Sequence, residues 1–452
     1  MKRIVSLFLA ILLISCCIVL AGCGDKSKTV LINGAPLSEY TVIIPEGCDN
    51  VTRYAAENFV DLTKDVLGLE LTIKIDLADP VDEEILIGAT NRAESKTETA
   101  LKDKEYLLFT KNGKIVMQGY DIYIGGACGD FVNKHISPAL STDKSKIDIT
   151  SIAQEPTPTE FKFANKSTSV IFMIGDGMGN QHIRMAEQNG LTKFIGKKLP
   201  YSASVTTASE SVLSGEIGWT DSAAAATAMS TGYKTLNAYL GLDKEGNQLK
   251  NIRELAYENG AKTGILTTDV ITGGTPAGYL CHHTNRKDTE ILQAQIDKIT
   301  NDKKIDYIKG EVGNSLTDET KYALDTLSAG GSPFFIMIEE AQIDKMSEAH
   351  DYKGTIDAVK RFDDAILYAV EFTLCHPDTM LIITADHETG ELVPKITNEY
   401  KFEFKTYHHT NYNVPVYAIG SGCESITGDL DNTDLAKISA KAFTDSPFGN
   451  ND

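Results

Sequence analysis

Acids and histidines in this sequence gather where apolar runs end. Asp176 stands in Gly175-Asp176-Gly177-Met178-Gly179, directly after the run 170–174. Glu339, Glu340 and Asp344 follow 334–338, and Ala385-Asp386-His387-Glu388-Thr389-Gly390 follows 380–384. His282-His283-Thr284-Asn285-Arg286 comes after 263–267, and His408-His409-Thr410 stands just before 414–419. Carboxylates and imidazoles are ligands for divalent metals, and an Asp-His pair beside a buried strand is costly unless paired or metal-bound. Singly, each reads as a capping Asp or a hydrogen-bonded core histidine. Recurring together with a serine at a helix start, they point to a metal site. That serine is Ser222, in Thr220-Asp221-Ser222-Ala223-Ala224-Ala225-Ala226-Thr227-Ala228. The alanines form a helix readily and Asp221 can cap it. Ser222 then falls in the first turn, where unpaired N–H groups and the positive dipole end favour an anion such as an alkoxide or a phosphate.

Such residues need a rigid sheet edge to hold them. Strands are expected at 170–174, 263–267, 334–338, 380–384 and 414–419, with helices between them, among them 251–258 and 354–372. This alternation predicts an α/β fold with a central, mostly parallel sheet covered by helices on both faces. Its active site would lie beyond the carboxyl ends of the strands. Residues 30–150 read as a smaller α/β domain ahead of it, with strands at 40–44, 71–75, 84–87 and 114–118. A helix at 51–67 keeps Tyr54, Ala55, Phe59, Leu62 and Val66 at near-helical spacing. Through Tyr54-Ala55-Ala56-Glu57, Ile85-Leu86-Ile87-Gly88 and Gly113-Lys114-Ile115-Val116 this domain resembles the small non-catalytic α/β domain that precedes the barrel in hexosaminidase-type glycoside hydrolases. A plain structural spacer is the other reading. The stretch 151–168, with Pro156, Pro158 and several Ser and Thr, reads as a linker, and 169–447 as the catalytic domain.

Composition excludes some partners. Acidic residues outnumber basic ones 63 to 43, for a formal charge of −20, which argues against nucleic acid and against attraction to anionic lipid. Bound cations can still invert the field locally for a phosphate substrate. Lys2 and Arg3 precede the apolar run 4–20 and then Leu20-Ala21-Gly22-Cys23, a secretory signal whose end resembles a bacterial lipobox. The expectation is a signal peptide over 1–22, lipid on Cys23, a polar tether over 23–29, and a lipoprotein on the outer face of a bacterial membrane. An uncleaved membrane helix is the alternative. Of eight cysteines, Cys48, Cys128, Cys281, Cys375 and Cys423 lie beyond this segment. Scattered and without a C-x-x-C pair, they make no disulfide framework; a single bridge such as Cys48–Cys128 stays open.

In order along the chain, GDGMG, TDSAAAATAMSTGYKT, TPAG with a following NR, the Glu-x4-Asp of EEAQID, TADHETG and HHT resemble the motif series of the alkaline phosphatase family, over roughly 168–425. The resemblance implies a phosphate-monoester hydrolase with two zinc ions and one magnesium. It implies Ser222 as a nucleophile that becomes phosphoserine, with Asp176, Asp386 and His387 holding the zinc beside the Ser222 oxygen. Asp344 and His409 would hold the other zinc. Asp176, Thr275 and Glu339, an all-oxygen set, would hold magnesium, and Arg286 would clamp two phosphate oxygens with its planar fork. Two metal ions about 4 Å apart would activate a hydroxyl that is otherwise a poor nucleophile and polarise the leaving oxygen.

One position departs from the family. Where a histidine is expected four residues after Asp344, this chain has Glu348, and the nearest histidine is His350. If a helix begins there, Glu348 shares a face with Asp344 and His350 does not. Glu348 is therefore the expected ligand over His350, with water filling the position as a third option. Such a harder set would let manganese or magnesium compete better with zinc. A sulfatase would need a C/S-x-P-x-R setting, which is absent, and a diesterase usually has Thr as nucleophile and lacks the clamp arginine. A phosphodiesterase of the same superfamily and a decayed metal- or phosphate-binding lipoprotein remain as alternatives, and a homodimer stays open.

Overall fold

The structure, a computed structural model, describes residues 29–142, 146–152, 156–191 and 193–450. The expected signal peptide, Cys23 and the tether ahead of Thr29 lie outside the described residues. Among those described, no helix is long and apolar enough to cross a membrane.

The large sheet is built from β1 (Ser169–Gly175), β2 (Tyr201–Thr206), β3 (Lys262–Thr267), β4 (Tyr307–Lys309), β5 (Phe334–Glu340), β6 (Thr379–Thr384), β7 (Val414–Ile419) and β8 (Asp429–Asp431). They lie in the order β4-β3-β5-β1-β6-β7-β2-β8. Strands β4, β3, β5, β1 and β6 run parallel; β7 opposes both its neighbours. All residues of β1, β5, β6 and β7 are buried, as expected of strands covered on both faces. Each strand expected for this sheet is present. Strand β5 runs two residues further than its apolar stretch, because Glu339 and Glu340 stay in register with Ile174 and Gly175 of β1. The two acids therefore end the strand instead of following it.

Four helices position the site: α1 (Ser222–Thr231), α2 (Gly274–Leu280), α3 (Gln342–Glu348) and α4 (Tyr352–Cys375). Helix α1 is buried along its whole length. Its small side chains let α2 approach closely: a Cβ on Gly278 would lie 2.6 Å from the Ala226 methyl. Helix α4 is amphipathic at first and then buried on every face from Ala365 to Cys375, the mark of a helix covered on both sides.

The cover on its outer side is the smaller unit. Its six-stranded sheet runs Thr72–Ile75, Thr41–Ile44, Glu84–Ile87, Lys114–Gly119, Glu105–Lys111 and Thr159–Glu160, the first four parallel. The last pair falls within the stretch read as a linker, and Phe161 beside it packs edge-on against Tyr106. Helix Asn50–Leu67 lies against α4. Tyr54 packs edge-on against Tyr368 with ring centroids 5.4 Å apart, and its hydroxyl donates to Asp364 at 2.9 Å. Both units thus share one apolar core. The five cysteines beyond the amino-terminal segment are all free thiols, so the Cys48–Cys128 bridge is not formed.

Candidate active site

The carboxyl ends of β1, β3, β5 and β6 bring the expected residues together. Asp176 follows β1 in a tight turn in which Gly177 has φ +75°, and a Cβ there would sit 2.8 Å from Thr389 Oγ1 and 2.9 Å from Asp344 Cα. Only glycine fits that turn. The Gly177 N–H and the His387 N–H each donate to Asp386 Oδ1 at 3.0 Å. Those bonds fix Asp386 and leave its other oxygen buried without a partner, like Asp176 Oδ1 and Thr275 Oγ1.

Ser222 is the first residue of α1 and is buried; Asp221 caps the helix by accepting from the Ala224 N–H at 3.0 Å. Ser222 Oγ lies 3.3 Å from His387 Nε2. Thr389 sets the histidine's tautomer. Its one hydroxyl proton goes to Asp344 Oδ1, so toward His387 Nδ1, at 3.3 Å, it accepts. Nε2 then presents a lone pair toward Ser222, Asp176 (3.5 Å) and Asp386 (3.2 Å). His409 is oriented in the same way: its Nδ1 donates to the Thr220 carbonyl at 2.8 Å, and Nε2 points to Asp344 Oδ1 at 3.5 Å and Glu348 Oε1 at 3.8 Å. Anchoring one ring nitrogen so that the other can ligate is the usual support of a metal-binding histidine.

Two sets of side chains have ligand atoms at metal spacing, Asp176 with Asp386 and His387, and Asp344 with His387 and His409. Glu348 ends α3 one turn after Asp344, and its Oε1 lies 3.8 Å from His409 Nε2, at the border of the second set. His350 does not. It lies past the helix at φ +53°, donates from Nε2 to the Thr406 carbonyl at 2.9 Å, and stacks on Tyr407 with centroids 3.9 Å apart. Thr275, in the first turn of α2, lies near the buried Glu339 without a well-formed hydrogen bond, while Thr267 donates to Glu339 Oε2.

This concentration of buried acids is unfavourable for charged carboxylates. Burial, then Asp386, Asp344 and Glu339, push the Asp176 carboxyl well up, against the pull of Arg286. Burial, with Asp269 and Asp386, pushes Glu339 up to about 8. Asp344 and Asp386 are raised chiefly by burial, and burial together with His409 drives His387 well below its ordinary value. Protonated acids beside neutral imidazoles are what such a cluster needs without cations; dications restore the ionised form. The unpartnered oxygens and the donor types therefore fit divalent metals.

Arg286 closes the site on the other side. Its Nη1 donates to Asp221 Oδ2 at 3.2 Å, and a Cβ at Gly274 would collide with the guanidinium. Asp221 is therefore more than the expected helix cap. Sequence reasoning also missed Thr389, although it stands inside TADHETG two residues after His387. Other residues picked out in the sequence serve structure. Glu340 takes both nitrogens of the Arg361 fork at 2.6 and 2.8 Å. His282 bonds Gly241 O and Glu254, His283 bonds Asp288, and His408 stacks on Trp219.

A mostly parallel α/β sheet with a serine at a helix start between two metal-spaced ligand sets has the form of a metal-dependent hydrolase site. The sequence profile of the alkaline phosphatase family matches residues 167–314 and 293–398, and the chain belongs to that family of phosphoric monoester hydrolases. Alkaline phosphatase 4 of Bacillus subtilis (strain 168) is 31% identical over 283 residues, which span 49% of this chain and 61% of that protein. The structure of alkaline phosphatase from the Antarctic bacterium TAB5 superposes with a TM-score of 0.56 at 26% identity, covering 62% of this chain and 98% of that one. A variant of the TAB5 enzyme, described with magnesium bound in its M3 site, superposes with a TM-score of 0.54 at the same identity and coverage. The smaller amino-terminal unit lies outside the profile match.

Proposed function

We propose that this chain hydrolyses phosphate monoesters through a phosphoserine on Ser222. The observation that carries the reading is the buried Ser222 hydroxyl at the start of α1, flanked by two ligand sets, the nearer of which holds two carboxylate oxygens without partners, Asp176 Oδ1 and Asp386 Oδ2. Asp176, Asp386 and His387 would hold one zinc, Asp344, Glu348 and His409 a second ion (zinc, manganese or magnesium), and Asp176, Thr275 and Glu339 a magnesium. Ions held there would supply a lowered Ser222 pKa and polarisation of the leaving oxygen. The chain's own residues do the rest. The free N–H groups of α1 and its dipole face the incoming phosphate. Arg286, held by Asp221 through one nitrogen, offers its remaining N–H groups to two phosphate oxygens. Ser222 Oγ gives its proton to solvent and bonds to phosphorus as the ester P–O bond breaks, the leaving oxygen taking a proton from water. A second water then attacks phosphorus, the Ser222 Oγ–P bond breaks, and Ser222 Oγ takes a proton back.

Acid-quenching during turnover of a labelled monoester tests this. Label must map to the peptide carrying Ser222 and vanish in Ser222→Ala. Label elsewhere, or turnover by Ser222→Ala near the wild-type rate, overturns the assignment. Export and lipid attachment at Cys23 belong to the same proposal and are supported by the sequence of residues 2–23.

A further inference from the structure

A cavity of about 230 Å³ opens between helix Asn50–Leu67 of the smaller unit and helices Leu316–Ser328 and α4 of the larger one. It lies near the amino ends of β5 and β6, opposite the active site across a strand length of about 20 Å. Asn58, Asp61, Leu62, Asp65, Asp325 and Phe372 are among its walls. Asp61 pairs with Lys321 at 3.1 Å, and Asp65 accepts from the Gly330 N–H at 3.1 Å. Asp325 has no hydrogen bond among the described residues. Asn58 is 1% exposed; its Nδ2 is committed to the Tyr54 carbonyl at 2.9 Å and its Oδ1 has no partner. A buried amide oxygen left bare is costly without a donor.

We propose that this cavity binds a small alkylammonium cation, its ammonium between the Asp325 carboxylate and Asn58 Oδ1 and its alkyl part along Leu62 and Phe372. Three aspartates outnumber the one lining lysine, Lys64, whose ammonium pairs with Glu70 at 3.4 Å, and so repel an anion. Among the described residues, sets at metal-ligating spacing occur only in the active site, and the space far exceeds that of a bare ion. The apolar wall likewise suits a carbon chain more than a hydrated metal. Burial, with Asp61 and then Asp65, pushes the Asp325 carboxyl up to about 7 against the pull of Lys321 and Lys64, as burial among acids does.

The test is calorimetric titration of the full-length, metal-loaded protein with n-butylammonium chloride at constant ionic strength, with calcium chloride in a parallel arm. The expected result is saturable binding of the ammonium and not of calcium, weakened about tenfold or more in Asp325→Asn and in Asn58→Leu. Asn58→Asp, which adds a carboxylate at the same place, should tighten it, and serves if the other variants do not fold. No saturable binding, undiminished binding by the variants that fold, no tightening by Asn58→Asp, or saturation by calcium alone overturns the proposal.

Discussion

Glu348→Gln removes one negative charge beside the second ligand set while keeping the side chain's size. The carboxylate sits 3.8 Å from His409 Nε2, the nitrogen that also faces Asp344 Oδ1 at 3.5 Å, so a shared cation would lie within about 4 Å of it. A unit charge that far from a dication is worth about 2 kcal/mol in water and about 8 at an effective dielectric constant near 20. The Glu348 side chain is 47% exposed, so the low end applies: about 2–4 kcal/mol, a weakening of metal affinity by about 30- to 1000-fold. His350→Ala should leave metal affinity within about threefold and lower stability by about 1–2 kcal/mol through its lost stack and hydrogen bond. Metals are stripped with a chelator, and zinc, manganese or magnesium is returned separately to each variant while bound metal and aryl phosphate turnover are measured. Glu348→His should shift preference toward zinc. If His350→Ala abolishes metal binding while Glu348→Gln changes nothing, the ligand assignment is wrong. If no metal restores turnover to the wild type, a metal-binding relative without catalysis becomes the better reading.

Arg286→Ala should cost about 2–4 kcal/mol in kcat/KM for a monoester, with little change in thermal stability; a loss under about tenfold would place the phosphate clamp elsewhere. Burial pushes Asp363 up to about 7, against the Ile195 N–H that donates to it at 2.6 Å. Between pH about 4 and 7 the folded state keeps a proton that the unfolded state has lost, so stability present below pH about 4 declines as pH rises through 7, by at most about 4 kcal/mol. Asp363→Asn should flatten that decline, and parallel melting profiles for the two proteins would refute it. Trp219 is the single tryptophan and stacks on His408, next to His409, so returning zinc to the metal-free protein should change its fluorescence; an unchanged spectrum would mean that zinc leaves this segment undisturbed.

Much of this was legible because strand and motif coincide. Apolar runs such as 170–174 and 380–384 have no polar face, so they must be buried on both sides, and the acids that follow them must meet at one edge. The helical reading of 344–350 also put Glu348 one turn after Asp344, as helix Gln342–Glu348 has it, since four residues make one turn. What escaped was work done by second atoms. Asp221 reads as a cap, and its Oδ1 is one; its Oδ2 holds Arg286 65 residues away. Thr389 reads as part of a motif, but its hydroxyl ties Asp344 to His387 only because a two-residue pairing of Glu388–Thr389 with His409–Thr410 folds that loop back. Non-local pairs of this kind leave no periodicity to read.

The smaller unit bears on the site through α4. The first half of that helix carries Arg361, whose fork braces Glu340 at the end of β5, one residue from Glu339. It also carries Asp363, which pins Ile195. Its second half, Ala365 to Cys375, has apolar side chains on every face; the large sheet can cover only one of them. Helix Asn50–Leu67 and the short helix Ile124–Asp130 cover the other, with Gly129 so close that a Cβ would lie 2.8 Å from Cys375 Cα. A phosphatase-like sheet with this α4 and no partner for its outer face would expose Tyr368, which packs on Tyr54, and Leu374, which faces Gly125, both now buried. At roughly 1.5–3 kcal/mol for each large apolar side chain, that exposure is comparable with a large part of the stability of an ordinary domain. The ligands need not touch the smaller unit to depend on it, because the helix that fixes the end of β5 is half built from its contacts.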